Sequence, residues 1–311
     1  MSLNVIDHDT VLATLTPAQA VHALRQALQD GVDPSADALR TSTQTNTGQL
    51  LSMPSANAAG FGTKLIAIAG PAAPEGVPLI QGTYVLFDGH TLAPSAVIDG
   101  VALTNLRTPA VSISCVYDLL NGGIGPLKVA IFGTGAQGRA HANTIRDTFD
   151  RAVEITFISR TQPADLDNWV EAGTTQAQAA VKEAELVICA TTASEPVLGL
   201  ADVRPEAVIV ALGSHTPEAR ELSGELMAAA QVIIEDHGAT LKEGGDVIQA
   251  IEEGHLAKQD LITYSQVVRQ EVQLDRSRPV VFKFTGMSWE DLVIAQAIAQ
   301  EAAPEGTARA R

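Results

Sequence analysis

Three glycines in Gly133-Thr134-Gly135-Ala136-Gln137-Gly138 directly follow the apolar run Lys128-Val129-Ala130-Ile131-Phe132 and open a segment suited to a helix. In a strand–loop–helix unit each glycine has its own task. Gly133 makes the tight turn, Gly135 lets the backbone approach a pyrophosphate, and Gly138 lets helix and strand pack closely. Ala136 and Gln137 begin the helix, whose free N–H groups then face the phosphates. Such a spacing alone arises by chance. With the strand before it, the helix after it and a second strand behind, it predicts a nicotinamide dinucleotide site rather than a plain βα turn. That second strand ends at Ser159, about 20 residues past the loop, where an Asp or Glu would bind the ribose hydroxyls of NAD. Here Ser159-Arg160-Thr161 stands instead. A guanidinium and two hydroxyls suit a 2′-phosphate, and no carboxylate is present to repel it. The expectation is NADP(H), with NAD(H) the second candidate; an arginine simply solvated at a strand end is the plain alternative.

Three cations occupy settings poorly chosen for mere solubility. Lys64 lies inside Phe61-Gly62-Thr63-Lys64-Leu65-Ile66-Ala67-Ile68-Ala69, Arg107 between Leu103-Thr104-Asn105-Leu106 and Thr108-Pro109, and Arg40 just ahead of the first strands. They can hold a small anion, or Lys64 can snorkel from a strand edge while the arginines form salt bridges. The first option gains weight from the composition. Net charge is −16 with only 20 Lys plus Arg, so no broad basic surface exists for nucleic acid or an anionic membrane. An anionic ligand must then be held by a few chosen cations.

The elements that position these residues follow from hydrophobic patterning. Hydrophobic residues at 46% and charged residues at 18% mark a globular chain, and 311 residues suffice for two cores. Thr16-Pro17-Ala18-Gln19 is a capping box with proline at the first helical position; Ala20, Val21, Leu24 and Leu28 continue the stripe and Gly31 ends it. Strands are expected at 49–53, 63–69, 82–87 and 92–98, the last two joined through Asp88-Gly89 as a hairpin. From Leu127 the pattern becomes strands alternating with helices. Strands are expected at 127–132, 153–159, 185–190, 207–212, 232–235 and 280–284, and helices at 137–148, 175–183 and 289–301. Short apolar strands with intervening helices predict a Rossmann-type, doubly wound parallel sheet, beside an α+β domain with antiparallel strands that could support a dimer. No apolar run approaches the roughly 20 residues that span a bilayer, and the N-terminus lacks the pattern of a secretory signal. Cys115 and Cys189 sit in apolar company, as small core thiols of a cytoplasmic protein do. No His/Cys cluster has metal-ligand spacing. Residues 304–311 are expected to be loose.

Several further segments carry a resemblance. Leu51-Ser52-Met53-Pro54, Gly62-Thr63-Lys64-Leu65, Asp99-Gly100 with Leu103-Thr104, and Arg107-Thr108-Pro109-Ala110-Val111-Ser112 come first. The glycine loop with His141, then Gly213-Ser214-His215-Thr216-Pro217 with Arg220-Glu221-Leu222 follow. Lys242-Glu243 with Gly245-Asp246, and Val281-Phe282-Lys283-Phe284 before Gly286-Met287, complete the series. In this order they resemble the ornithine cyclodeaminase/mu-crystallin family over nearly the whole chain.

The resemblance implies a substrate and dimerisation domain from residues 1–116 with 288–311, and an NADP(H)-binding domain from 117–287, assembled as a homodimer. It implies that Arg40, Lys64 and Arg107 grip the carboxylate of an amino or imino acid and that Thr108 helps hold the pyrophosphate. Ala190-Thr191-Thr192 and Leu212-Gly213-Ser214 would line the strand ends where a doubly wound sheet opens onto its ligand. Cyclodeaminases of the family carry an aspartate where this chain has His215, and the ketimine reductase branch lacks it and reads the ribose with Asn-Arg-Thr. Both positions point to the reductase branch: reduction of pyrroline-2-carboxylate or piperideine-2-carboxylate to L-proline or L-pipecolate, with Lys64 or His215 supplying the proton. His215 as a plain polar loop residue, ornithine cyclodeamination, an open-chain imine reductase resembling alanine dehydrogenase, and a non-catalytic dinucleotide-dependent binding protein are the competing readings.

Overall fold

A computed structural model describes residues 3–302; the tail expected to be loose lies outside them. The chain divides into two compact units, residues 1–108 with 287–311 and residues 109–286.

The first unit starts with strand β1 (Asn4–Ile6) and helices α1 (His8–Thr14) and α2 (Pro17–Gln29). At α2 the capping box is closed: Thr16 accepts from the Gln19 N–H while the Gln19 side chain accepts from the Thr16 N–H. Ala20, Val21, Leu24 and Leu28 form its buried stripe, and Gly31 takes a φ of 102° past its end. Strands β2 (Thr41–Gln44), β3 (Gly48–Asn57), β4 (Gly60–Ala69), β5 (Ile80–Asp88) and β6 (Pro94–Asp99) follow. They form one sheet in the order β1-β6-β5-β4-β3-β2, antiparallel except for the β1/β6 pair. The two-residue hairpin expected at Asp88-Gly89 is instead a longer loop, residues 89–93. The Asp88 carboxylate accepts from the N–H groups of His90 at 3.1 Å and Thr91 at 2.7 Å. Those bonds fold the chain into an Asx turn, so the strand begins at Pro94 rather than Leu92.

Helix α3 (Gly100–Leu120) is continuous across the division at 108/109 and holds Pro109 in its interior. Patterning did not foresee it. Its residues are apolar around much of the circumference, so no amphipathic period shows, and Pro109 reads as a breaker.

The second unit alternates strand and helix: β7 (Leu127–Phe132), α4 (Ala136–Thr148), β8 (Val153–Ser159), β9 (Trp169–Glu171), α5 (Thr175–Glu183), β10 (Leu186–Cys189) and β11 (Val208–Ala211). Then come α6 (Gly224–Ala229), β12 (Gln231–Ile234), α7 (His237–Glu243), α8 (Gly245–Glu252), β13 (Ile262–Thr263), α9 (Tyr264–Val268) and β14 (Val280–Lys283). All eight strands run parallel in the order β13-β12-β14-β11-β10-β7-β8-β9. The order reverses between β7 and β10, the place where a doubly wound sheet opens a crevice at its carboxyl edge. Fully buried strands such as Leu186–Cys189 and Val208–Ala211 explain the unbroken apolar runs in the sequence. Cys115 and Cys189 are buried, and burial holds the Cys189 thiol well above its ordinary value.

Helix α10 (Ser288–Glu301) returns to the first unit, packing on α2 and across β3, β4 and β5. No helix among the described residues is long and apolar enough to cross a membrane.

Candidate functional site

In the second unit the glycine loop is built as its spacing requires. Gly133 adopts a φ of 104°, and a Cβ there would overlap the Ala190 carbonyl oxygen at the end of β10. A Cβ at Gly138 would overlap the Gly133 carbonyl, so α4 can pack on β7 only with glycine. Gly135 differs: a Cβ there meets nothing within 4 Å. Neither strain nor protein packing demands that glycine, so the space above it is free for a ligand. Gly135 also caps α4 without any side-chain hydrogen bond, which leaves the helix N-terminus, with Ala136 and Gln137, open. A cavity of about 830 Å³ adjoins the loop, lined by Thr134, Ser159, Arg160, Thr191 and Glu195 among others. Its size and its position beside an open helix N-terminus fit a dinucleotide.

At the end of β8 the Ser159 hydroxyl donates to the Thr161 carbonyl at 2.8 Å and accepts from Trp169 Nε1 at 2.8 Å. It is therefore committed within the chain, while Arg160 and Thr161 are exposed. Arg139, one residue past the loop, donates from Nε to the Thr134 carbonyl at 2.9 Å. Its two terminal nitrogens meet both oxygens of Asp165 at 2.7 and 2.8 Å.

A buried carboxylate braces the ends of β10 and β11. Glu221 accepts from the Thr191 N–H at 2.8 Å, the Thr191 hydroxyl at 2.7 Å and the Gly213 N–H at 2.7 Å. Burial raises its pKa, opposed chiefly by Lys283. Lys283 pairs with Asp246 at 2.9 Å and donates to the Ser214 carbonyl at 2.6 Å, while Asp246 accepts from the N–H groups of Glu221 and Leu222. Thr191, Gly213 and Ser214 are thus fixed by one network. The adjacent His215 is exposed and makes no hydrogen bond or ion pair with a described residue. His141 is fully buried in α4 between Ser112 and the Gln137 carbonyl, each 2.7 Å away. The carbonyl can only accept, so Nδ1 carries the proton and Nε2 accepts from Ser112. Burial brings the pKa of this ring down to about 4.

In the first unit, strand alternation turns Lys64 onto the buried face of β4, under α10. Its Nζ lies 2.8 and 2.7 Å from the two oxygens of Asp291, with both side chains fully buried. Arg107 reaches the same carboxylate through Nε at 2.9 Å and Glu290 through Nη1 at 3.3 Å. Burial, then the Arg107 charge, lower the Lys64 pKa to about 8 against the pull of Asp291. Tyr84 stands opposite Lys64 on β5, its hydroxyl buried without a hydrogen-bond partner among the described residues and its pKa pushed up by burial. Arg40 lies half-buried in the loop before β2 and Thr108 is buried in α3.

Sequence reasoning therefore found the unusual cations but not their counter-charges. Glu290 and Asp291 lie in the first turn of α10, where acidic residues are common, so nothing local marks them. Lys283 carried the same signal as Lys64, a lysine within Val280-Val281-Phe282-Lys283-Phe284, and it could have been found by that pattern.

Residues 4–306 match the model of the ornithine cyclodeaminase/mu-crystallin family. The chain belongs to this family. Among curated members, ketimine reductase mu-crystallin of Mus musculus is 31% identical over 241 residues, covering 76% of this chain and 74% of the relative. The Delta(1)-pyrroline-2-carboxylate reductase of Bacillus cereus is 26% identical over 287 residues, or 88% and 87% of the two chains. The fold is shared with Thermococcus litoralis Delta(1)-pyrroline-2-carboxylate reductase, solved with NADH and L-proline. The TM-score is 0.83 at 21% identity, covering 96% of this chain and 97% of that one.

Proposed function

We propose that this family member is a nicotinamide-dependent reductase of a cyclic ketimine acid, converting pyrroline-2-carboxylate or piperideine-2-carboxylate to L-proline or L-pipecolate. The observation that carries the reading is Lys64, fully buried on an otherwise apolar strand beside Arg107, with a pKa near 8. Burying a lysine next to another cation costs stability that an apolar residue would not, so the position is explained by chemistry rather than by folding. The activities named for the mouse and Bacillus relatives support the same reading.

Gly133, Gly135, Gly138 and the α4 N-terminus at Ala136 and Gln137 would hold the pyrophosphate, with Thr108, while Thr191, Gly213 and Ser214 line the strand ends. Arg160 and Thr161, with Ser159 fixing the turn between them, favour NADP(H) and leave NAD(H) acceptable. A reduced nicotinamide bound there supplies hydride to the electron-poor carbon of the C=N bond. Arg40 and Arg107 would bind the substrate carboxylate and orient it. Lys64, charged below about pH 8, would give a proton to the imine nitrogen and regain it from solvent. His215, exposed and without a fixed partner, is the weaker candidate for that proton. Exposed apolar residues of the first unit, Leu50, Leu79 and Ile80, support assembly as a homodimer.

The test is spectroscopic. Reduced-cofactor absorbance should fall only when the cyclic imine is added, faster with NADPH than with NADH. No substrate-dependent loss with either imine would sink the proposal; ammonia release from ornithine without net cofactor change would replace it by cyclodeamination.

A further inference from the structure

An ion pair in which both terminal nitrogens of an arginine meet both oxygens of a carboxylate joins α4 to the loop that follows β8. Arg139 is tethered through Nε to the Thr134 carbonyl, the second residue of the glycine loop, at 2.9 Å. Its remaining fork, Nη1 and Nη2, is filled by both oxygens of Asp165 at 2.7 and 2.8 Å. The Arg139 hydrogen bonds hold the Asp165 carboxyl below its usual range, so the pair is charged at neutral pH. Both side chains are exposed, at 37% and 68%, and an exposed pair of this kind adds little to folding. Asp165 lies in residues 160–168, which join β8 to β9 with no intervening helix.

Thr134 and Arg160 line the same cavity, one on the glycine loop and one at the end of β8. The adenosine ribose of a dinucleotide is read at that strand end. Ser159 cannot donate to a ligand there, because its proton is committed to the Thr161 carbonyl. A 2′-phosphate would therefore find Arg160, while a second guanidinium, tethered to the cavity-lining Thr134, has its fork already occupied by a carboxylate. Carboxylate and phosphate take the same two parallel N–H donors of an arginine.

We propose that Asp165 limits the preference for the phosphorylated cofactor that Arg160 provides, by occupying the Arg139 fork that a 2′-phosphate would otherwise engage. The inference rests on the reading of the second unit as the dinucleotide site. In the wild-type chain the Arg139–Asp165 pair contributes no net charge towards the phosphate. Removing the carboxylate charge frees the fork without touching the glycine loop or Arg160.

Calorimetric binding of 2′,5′-ADP and of ADP to the full-length protein tests this without any turnover. Asp165→Asn should tighten 2′,5′-ADP about tenfold, the scale of one charge-assisted contact, while ADP stays within about twofold. Arg139→Met in the same background should abolish that gain, and Asp165→Glu should behave as wild type. Three results would each overturn the proposal: no change in either nucleotide with Asp165→Asn, an equal change in both, or a gain that survives Arg139→Met. Failure of the wild type to bind ADP or NADH at all would overturn the dinucleotide reading and this inference with it.

Discussion

Replacing Asp291 by Asn tests whether the buried cations of the first unit are held for chemistry. The substitution keeps the shape but removes the charge that Lys64 meets at 2.8 and 2.7 Å and Arg107 at 2.9 Å. Glu290 alone would then face both cations, touching only Arg107. Breaking a buried pair from one side costs about 3–5 kcal/mol, an uncompensated charge being left behind. Lys64 limits the loss by giving up its proton, so about 3 kcal/mol is expected, or roughly 6–12 °C in melting temperature for a unit of this size. Its pKa, near 8 with Asp291 present, must fall further, since burial and Arg107 would act with less opposition. Imine reduction in the wild type should decline as pH rises through about 8, and in Asp291→Asn the decline should begin at least a unit lower. Guanidinium unfolding followed by the fluorescence of Trp289, on the helix that carries Asp291, reports the stability of this unit. The double variant Lys64→Met/Asp291→Leu should recover part of the lost stability while remaining inactive, because Lys64 no longer needs a counter-charge although Arg107 loses its contact with Asp291. The reasoning fails if Asp291→Asn lies within about 1 kcal/mol of wild type and keeps the same basic limb.

Three further outcomes follow from the same geometry. Gly135→Ala should leave the melting temperature nearly unchanged yet weaken NADH binding at least tenfold, whereas Gly133→Ala should cost about 2 kcal/mol or more through its positive φ and the Ala190 carbonyl; melting curves and fluorescence titrations separate the two. His141, at about 4 in the folded state against 6.5 ordinarily, takes up its proton first in the unfolded chain. Stability should thus fall by about 3 kcal/mol as pH drops from 6.5 to 4, and His141→Gln should flatten that slope in denaturant titrations. His215→Ala should keep the reduction rate within about threefold while Lys64→Met lowers it at least a hundredfold, measured as steady-state kcat with saturating cofactor.

What the sequence discloses depends on how local its cause is. Strands Leu127–Phe132 and Val153–Ser159 and helix Thr175–Glu183 have the bounds their patterning predicts, because apolar runs and the Thr174 cap define them. The capping box at Thr16 is likewise visible, being a bond between residues three apart. Gly100–Leu120 is not, since a helix apolar around much of its circumference shows no clear period and its internal proline reads as a breaker, although the Asp99 carboxylate accepts from the Ala102 N–H at 2.7 Å at its start. The short helices between residues 224 and 268 escape for a related reason: too brief to display a stripe, they are held by tertiary packing. The candidate site divides along the same line. Gly133, Gly135 and Gly138 can be read because their task is set by the loop they sit in. Lys64 and Arg107 can be recognised as misplaced, but the carboxylate that answers Lys64 stands 227 residues away. Periodicity does not connect two such positions; only the return of α10 onto β4 does. That return also changes what the cations mean. With Glu290 and Asp291 included the cluster carries two charges of each sign, so it is not a simple anion trap. It suits a substrate that itself carries both signs, a carboxylate and a protonated imine, and such a substrate should bind with only weak dependence on salt.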